Sequence, residues 1–248
     1  MIRKILHLAA AVALMTAAGG AVLAQSAPAK TPAISRFLAP GDLDAGLVLP
    51  PPPADGSPLA AAELAELHAI RTARTPERLA QAKQDAEIED VRSIVDIFGP
   101  AFDLARFPAT AQLFADLRNE DSVAAKAAKK LFNRTRPWAA DPTLADDPNL
   151  EACDKGEPRS SYPSGHATMG YAAGLVLAQL MPGNGRIILA RSADYAESRL
   201  VCGVHYRRDI EAGHVLATAL VDRLMTKPAF RAELDAARTE LTAAHIAP

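Results

Sequence analysis

The 248-residue sequence has few aromatic side chains (5%), two cysteines and a formal net charge of only −2 at pH 7. Scarce aromatic residues beside abundant alanine and leucine favour helices that pack through small side chains. The weak net charge argues against general binding to nucleic acid polymers, so any anion site must come from a local group of cations. The sequence shows no alternating strand pattern and no repeat of fixed period, and it therefore predicts a single all-α domain.

Long apolar runs are also missing, apart from one at the N-terminus. Residues 1–24 have the pattern of a secretory signal peptide, with Arg3 and Lys4 before an apolar stretch over residues 6–18. Because that stretch is short for a membrane span, we expect cleavage after Ala24 and not a retained anchor. No later segment is long and apolar enough to cross a bilayer, so we expect the mature chain to be periplasmic and free of the membrane.

The two cysteines, Cys153 and Cys202, are far apart in the sequence. This spacing is unlike the Cys-x-x-Cys motif of redox-active pairs. Since exported proteins fold in an oxidising compartment, we predict that the two residues form a disulfide.

Residues 25–56 are rich in proline and include an uninterrupted run over residues 50–53. Proline lacks an N–H donor and fixes φ, so this stretch cannot join a helix interior or a sheet ladder. We expect an extended arm on the surface of a helical domain over residues 57–248. Binding of the arm to a proline-recognising partner is the alternative.

Cap residues followed by proline mark where helices begin, and glycine or proline marks where they end. These signals predict a loop over residues 133–162. They predict helices over residues 58–73, 76–88, 89–99, 108–117, 121–132, from Ser164 to Pro182, and over 186–200, 206–225 and 228–244.

Three separated motifs carry cations, small hydrogen-bond donors and histidines. They are Lys-x6-Arg-Pro from Lys129, Pro-Ser-Gly-His from Pro163, and Ser-Arg-x5-His-x3-Asp from Ser198. The first motif alone is more typical of a solvated helix end, and the second alone is compatible with a helix cap and a surface histidine. The third alone is evenly balanced between a surface ion pair and a reactive histidine. Their joint occurrence indicates the residues needed to hydrolyse a phosphate ester without a metal.

The residue types in these motifs indicate separate roles. The cations Lys129, Arg136 and Arg199 suit a tetrahedral anion, and Arg136 offers a planar fork that matches two phosphate oxygens. Ser164 and Gly165 add donors at a helix start, where the helix dipole also favours an anion. The remaining three residues, His166, His205 and Asp209, can transfer protons and attack phosphorus.

His205 and Asp209 are four positions apart and would share a face if a helix begins here. Asp209 could then accept a hydrogen bond from His205 Nδ1, which leaves Nε2 as the nucleophile.

The three motifs together resemble the signature of the type 2 phosphatidic acid phosphatase and vanadium haloperoxidase superfamily. The signal peptide, the Leu-Pro-Pro-Pro-Pro arm and the context of the second motif are similar to the bacterial class A non-specific acid phosphatases. The resemblance covers the chain from about Leu49 to the last helix. One position departs from it, since Ala167 stands where a threonine is usual.

The resemblance implies a helical-bundle fold, a phosphohistidine on His205 oriented by Asp209, and His166 as the acid for the leaving alcohol. It suggests a homo-oligomer, and it implies that the phosphoryl oxygens are held by Lys129, Arg136, Ser164, Gly165 and Arg199. We expect small-molecule phosphate monoesters as substrates and neither a cofactor nor a metal, because the aspartates near residues 141–154 match no calcium loop. A vanadium-dependent haloperoxidase and a non-catalytic phosphate-binding module are the alternatives.

Overall fold

The structure is a computed structural model that describes residues 34–246, and in this range it contains helices and no strand. The predicted all-α class is therefore confirmed. The longer helices are α2 (Pro58–Ala73), α3 (Pro76–Glu87), α5 (Pro108–Phe132), α8 (Gly165–Leu180), α9 (Gly185–Val201), α10 (Arg207–Met225) and α11 (Pro228–Ala243). The short helices are α1 (Ala45–Val48), α4 (Arg92–Val95), α6 (Pro137–Ala140) and α7 (Pro142–Ala145), with 3₁₀ turns at Asp96–Ala101, Leu104–Arg106, Glu151–Cys153 and Pro182–Asn184.

The predicted signal peptide over residues 1–24 lies outside the described residues. None of the helices between residues 34 and 246 combines the length and apolar character that a membrane span requires.

Most helices begin where the cap signals place them. Ser57 Oγ accepts a hydrogen bond from the N–H of Ala60 at the start of α2, and Thr75 Oγ1 does the same for Arg78 at the start of α3. In both helices proline occupies the first turn, where its missing N–H costs no intrahelical bond.

The predicted secondary structure was wrong in three segments. The stretch from residue 108 to 132 is one helix and not two, since residues 117–121 contain no glycine or proline and Asp121 points into the protein instead of capping. The predicted helix over 89–99 shrinks to α4 and a 3₁₀ turn that bends at Gly99. The predicted loop over 133–162 contains the short helices α6 and α7.

The helix α8 lies at the centre of the domain and contacts α5, α9 and α10. It is apolar almost all round, as expected for a fully surrounded helix. Glycines permit the closest approaches: a side chain at Gly170 would overlap the Tyr195 ring of α9, and one at Gly174 would overlap Ser192. The three motifs converge near the N-terminal end of this central helix.

The start of α8 also lies very close to α10. A Cβ at Gly213 would come within 2.8 Å of the Ala167 Cβ and 3.0 Å of the Ser164 carbonyl oxygen. The Ser164 N–H donates to the Asp209 carbonyl oxygen at 2.9 Å. The second and third motifs are thus joined by direct backbone contact.

The described part of the arm, residues 34–56, packs on the helices. Glu120 on α5 accepts hydrogen bonds from the N–H groups of Arg36 and Phe37, and Tyr162 donates its hydroxyl to the Pro50 carbonyl at 2.6 Å. These bonds place the proline run against the loop that leads into the second motif.

Candidate active site

Five segments supply the predicted site residues. Lys129 comes from the end of α5, Arg136 from the loop after it, and Ser164, Gly165 and His166 from the start of α8. Arg199 comes from the last turn of α9, and His205 and Asp209 come from the link into α10. The structure brings all eight residues together at the amino end of α8, where Lys129 and Gly165 are partly exposed and the other six are buried.

The partners of His205 determine which of its ring nitrogens carries the proton. Arg136 Nη1 lies 2.9 Å from His205 Nε2, and an arginine can only donate a hydrogen bond. Nε2 must therefore accept, so the proton of the neutral ring lies on Nδ1, which is 3.2 Å from Asp209 Oδ2. The ring thus presents its unprotonated Nε2 to the cationic side of the site.

The reason for the His205–Asp209 contact differs from the expectation. His205 lies before the helix, α10 begins at Arg207, and Asp209 occupies the third position of the first turn. Asp209 Oδ2 accepts the N–H of Tyr206 at 2.9 Å, as in a capping box. The carboxylate reaches His205 because it folds back over the helix start, and not because the two residues share a helical face.

Asp209 has two further partners that the sequence did not reveal. Ser161 Oγ donates to Oδ2 at 2.5 Å, and Arg134 Nη1 donates to Oδ1 at 2.7 Å. Arg134 also pairs with Glu63 of α2 at 2.5 Å and lies over the Tyr206 ring. Arg134 and Glu63 are both buried, so Asp209 is part of a buried, fully paired ionic network.

Arg136 and Arg199 point their guanidinium groups at the site. Arg136 also donates to the Val204 carbonyl, and Gly156, at φ 66°, leaves room for it because a side chain there would overlap the guanidinium. Arg199 is fully buried and donates Nη2 to the carbonyl oxygens of Cys153 and Asp154.

The Arg199 Nε and Nη1 atoms make no hydrogen bond within residues 34–246. Buried donors without a partner are rare and costly, and these two donors would be satisfied by an anion in the site.

A disulfide joins Cys153 and Cys202, whose Cα atoms are 5.7 Å apart. This disulfide fixes the 3₁₀ turn at residues 151–153 against the end of α9. The carbonyl oxygen of Cys153 in that turn accepts a hydrogen bond from Arg199. The disulfide therefore supports one of the anion-binding side chains through the backbone.

The start of α8 contributes fewer donors than the motif suggested. The Ser164 N–H is used by Asp209, and Ser164 Oγ caps the Ala167 N–H at 3.3 Å. The N–H groups of Gly165 and His166 precede the first intrahelical bond and remain available, together with the Ser164 hydroxyl proton. Lys129 lies beside them, with its Cε 3.8 Å from where a Gly165 Cβ would stand, and its Nζ donates to the Ser160 carbonyl.

His166 is held in the opposite tautomer to His205. Its Nε2 lies 3.1 Å from the Ala86 carbonyl oxygen, which can only accept, so Nε2 carries the proton and Nδ1 is the nitrogen that can exchange one. The ring stacks on Tyr195 at a centroid distance of 5.9 Å. Its Nδ1 lies 3.7 Å from Glu89 Oε1, a residue that the sequence motifs did not include.

Ala167, the one departure from the family pattern, is fully buried beside Leu67 and Ile210. Its side chain packs in this apolar cluster and faces Gly213 of α10. The hydroxyl of a threonine at position 167 would therefore lie at the packing contact between α8 and α10.

Burial and the crowded cations shift the pKa values of the site. Burial, Arg136, Lys129 and Arg199 hold the pKa of His205 well below its usual value, and burial and Arg199 do the same for the pKa of His166. Burial and Arg136 lower the pKa of Lys129 to about 7, and burial and Arg199 lower that of Arg136 to about 10. Burial is the largest cause of all four shifts and the neighbouring cations add to it, so a bound dianion would offset the positive charge that is crowded here.

Residues 34–246 contain no cluster of three His, Cys, Asp or Glu side chains arranged to hold a metal ion. The charged groups that meet in the site are mainly the cations Lys129, Arg136 and Arg199, which would repel a divalent metal.

Comparison with known proteins identifies the family of the chain. Residues 115–231 match the model of the PAP2 superfamily. An acid phosphatase of Zymomonas mobilis is 33% identical over 207 residues, which cover 80% of this chain and 77% of that protein. A non-specific acid phosphatase of Providencia stuartii is 32% identical, covering 80% of this chain and 81% of the relative. One of Salmonella typhimurium is 30% identical, covering 78% of each chain. The chain therefore belongs to the PAP2 superfamily, in its group of bacterial non-specific acid phosphatases.

Proposed function

We propose that this chain is an exported acid phosphatase that hydrolyses phosphate monoesters of broad specificity through a phosphohistidine, without a metal. The observation that carries the proposal is the tautomer of His205, whose Nε2 lone pair faces a set of cations built for a phosphoryl group. Family membership supports the reaction class.

In the first step, His205 Nε2 attacks the phosphorus atom and displaces the ester oxygen. The N–P bond forms as the P–O bond to the leaving group breaks. A protonated His166 gives its Nδ1 proton to the leaving oxygen, which departs as an alcohol. Asp209 stabilises the positive charge that develops on His205 and holds its ring in place.

In the second step, a water molecule attacks the phosphohistidine. His166 Nδ1, now unprotonated, takes the proton of the water as its oxygen bonds to phosphorus, and the N–P bond breaks. Inorganic phosphate leaves, and His205 regains its neutral form while His166 is again protonated. An alcohol in place of water would give a new phosphate ester by the same step.

The phosphoryl oxygens would be held by the unpartnered donors of Arg199, by Arg136 and Lys129, and by the first-turn N–H groups of α8. These donors are fixed before the substrate arrives, so they stabilise the transition-state charge with little reorganisation. They contact only the phosphoryl group, which supports broad substrate specificity.

The proposal includes export to the periplasm, which rests on the pattern of residues 1–24, and a homo-oligomeric state, which rests on the family resemblance alone. It also includes independence from metals, which rests on the three cations in the site.

The nucleophile is tested by His205→Ala, with His214→Ala as the matched control because His214 is an exposed histidine stacked on Tyr171. We expect His205→Ala to remove nearly all turnover of nitrophenyl phosphate while keeping the native circular dichroism spectrum, and His214→Ala to keep its activity. Rapid quenching with ³²P-labelled substrate should place the label on His205 in the wild type. Label on another residue would refute the proposed nucleophile.

The metal-free mechanism is tested separately. Activity should survive prolonged dialysis against chelator, and vanadate should inhibit by occupying the phosphoryl site. Activity that is lost in chelator and restored by a divalent cation would refute this part, and halide oxidation with vanadate and peroxide would favour the haloperoxidase alternative.

A further inference from the structure

An acidic side chain that belongs to none of the three motifs borders the cationic site. Glu89 lies between α3 and α4, and its Oε1 is 3.7 Å from His166 Nδ1 and 3.5 Å from where a Gly165 Cβ would stand. The Glu89 side chain is 31% exposed, and Gly165 and Lys129 beside it are also partly exposed. The carboxylate therefore stands at the open edge of the site, next to the phosphoryl-binding helix start.

Glu89 faces the nitrogen of His166 that must exchange protons. Since His166 Nε2 donates to the Ala86 carbonyl, only Nδ1 can deliver a proton to a leaving group. A leaving-group oxygen must then approach Nδ1, so it must come close to Glu89. At 3.7 Å the carboxylate makes no hydrogen bond to Nδ1, so an Nδ1–H group stays free to point at the leaving group, while the nearby negative charge favours the protonated ring in this orientation.

Arg118 fixes Glu89 and compensates its charge. Its Nη2 lies 2.6 Å from Glu89 Oε2, and its Nε donates to the Glu89 carbonyl at 2.6 Å, so both the side chain and the backbone are held. The other acidic partner of Arg118 is Asp121, and burial raises the pKa of Asp121 to about 8. Asp121 is therefore neutral below that pH, and the charge of Arg118 is left to balance Glu89. The negative charge of Glu89 therefore repels a substrate dianion less, because Arg118 balances that charge.

The other charged or titratable groups around His166 oppose its protonation or are neutral. They are Arg118 and Lys129 on α5, Tyr195 and Arg199 on α9, and His205 before α10. Among the described residues near Nδ1, Glu89 is the anion that can favour the imidazolium form.

We propose that Glu89 is a positioning residue for this reaction, which holds the protonated His166 with its Nδ1–H directed at the leaving-group oxygen, while Arg118 fixes Glu89. The inference rests on the proposed function, because it assigns Glu89 to the leaving-group step of that mechanism.

The test compares Glu89→Gln, which keeps shape but removes charge, with Asp90→Asn. Asp90 is the adjacent carboxylate and pairs with Arg92 at 2.6 Å, so it controls for a general loss of negative charge. The pH profile of kcat is measured for an alkyl phosphate, whose leaving group needs protonation, and for nitrophenyl phosphate, whose leaving group needs little.

Loss of an opposite charge at this distance lowers a histidine pKa by about one unit. The alkaline limb for the alkyl ester should thus move to lower pH in Glu89→Gln, and kcat above that limb should fall about tenfold. The nitrophenyl ester should lose less than about threefold, and Asp90→Asn should match the wild type on both esters. An unmoved limb with equal loss on both esters, or the same shift in Asp90→Asn, would overturn the inference.

A second measurement does not depend on turnover. The pKa of His166 is followed by NMR in ¹⁵N-histidine-labelled protein saturated with inorganic phosphate, and it should be about one unit lower in Glu89→Gln than in the wild type. Equal values would overturn the role of Glu89. Failure of the proposed function would be recognised by a different result, namely a wild type that hydrolyses neither ester. In that case the NMR comparison still shows whether Glu89 raises the pKa of His166.

Discussion

Replacing Asp209 by asparagine should separate the chemical role of the buried network from its structural role. Asp209 Oδ2 accepts from His205, Tyr206 and Ser161, while Oδ1 accepts from Arg134. An asparagine has one acceptor and one donor group at these positions, so in either orientation an N–H group faces another donor. The negative charge that balances a phosphorylated His205 is lost in both cases.

The size of the two effects follows from these contacts. Loss of the carboxylate that orients a catalytic histidine lowers kcat on the order of 10³-fold to 10⁴-fold in carboxylate–histidine pairs. Breaking a buried ion pair costs about 3–5 kcal/mol, and the lower end applies because Arg134 keeps Glu63 as a partner. We therefore expect Asp209→Asn to be nearly inactive and about 3 kcal/mol less stable.

Glu63→Gln is the matched control, because it breaks the same Arg134 network at 2.5 Å without touching His205. Its unfolding free energy should fall by a similar amount, of about 3 kcal/mol, while its kcat should fall far less. Stability is measured by guanidinium unfolding, and kcat by hydrolysis of nitrophenyl phosphate at pH 6. If the two variants lose the same activity, the loss comes from the network as a whole, and orientation of His205 by Asp209 is refuted.

Three further outcomes follow from the site. Arg199→Lys keeps the charge but removes the unpartnered fork, so KM and the vanadate inhibition constant should rise about tenfold, and unchanged inhibition would contradict that role. The pKa of Lys129 near 7 means that its charge is present below that pH and lost above it. KM should therefore rise as the pH passes 7, and less so in Lys129→Gln; identical profiles would exclude Lys129. Reducing the Cys153–Cys202 bond should lower the unfolding free energy by roughly 4 kcal/mol in the chain-entropy model and raise KM. Two free thiols in exported protein would refute this.

The sequence predicted the structural features that depend only on residues close together in the chain. The caps at Ser57, Thr75 and Ser164 are set by a residue and its next three neighbours, and the structure contains all three. The three motifs could be recognised because their order and spacing are specific even though each is weak alone.

The sequence could not reveal pairings between distant segments. Arg134 lies two residues before Arg136 but its partner Glu63 is 71 positions away, and Glu89 meets His166 only because the segment between α3 and α4 lies against the start of α8. Asp121 resembled a helix cap because a cap and a buried acid have the same local pattern. Its burial, which raises its pKa to about 8, is a property of the packed protein.

The closeness of Gly213 to the start of α8 has a consequence for mutational tolerance. Gly213 does not belong to the anion site, yet a single added methyl group would stand 2.8 Å from Ala167 and 3.0 Å from the Ser164 carbonyl. To relieve that overlap, α10 would have to move away from α8, and His205 and Asp209 would move away from the phosphoryl-binding helix start. In a library of random variants, position 213 should thus behave like an active-site position, while the exposed His214 beside it should accept many residues.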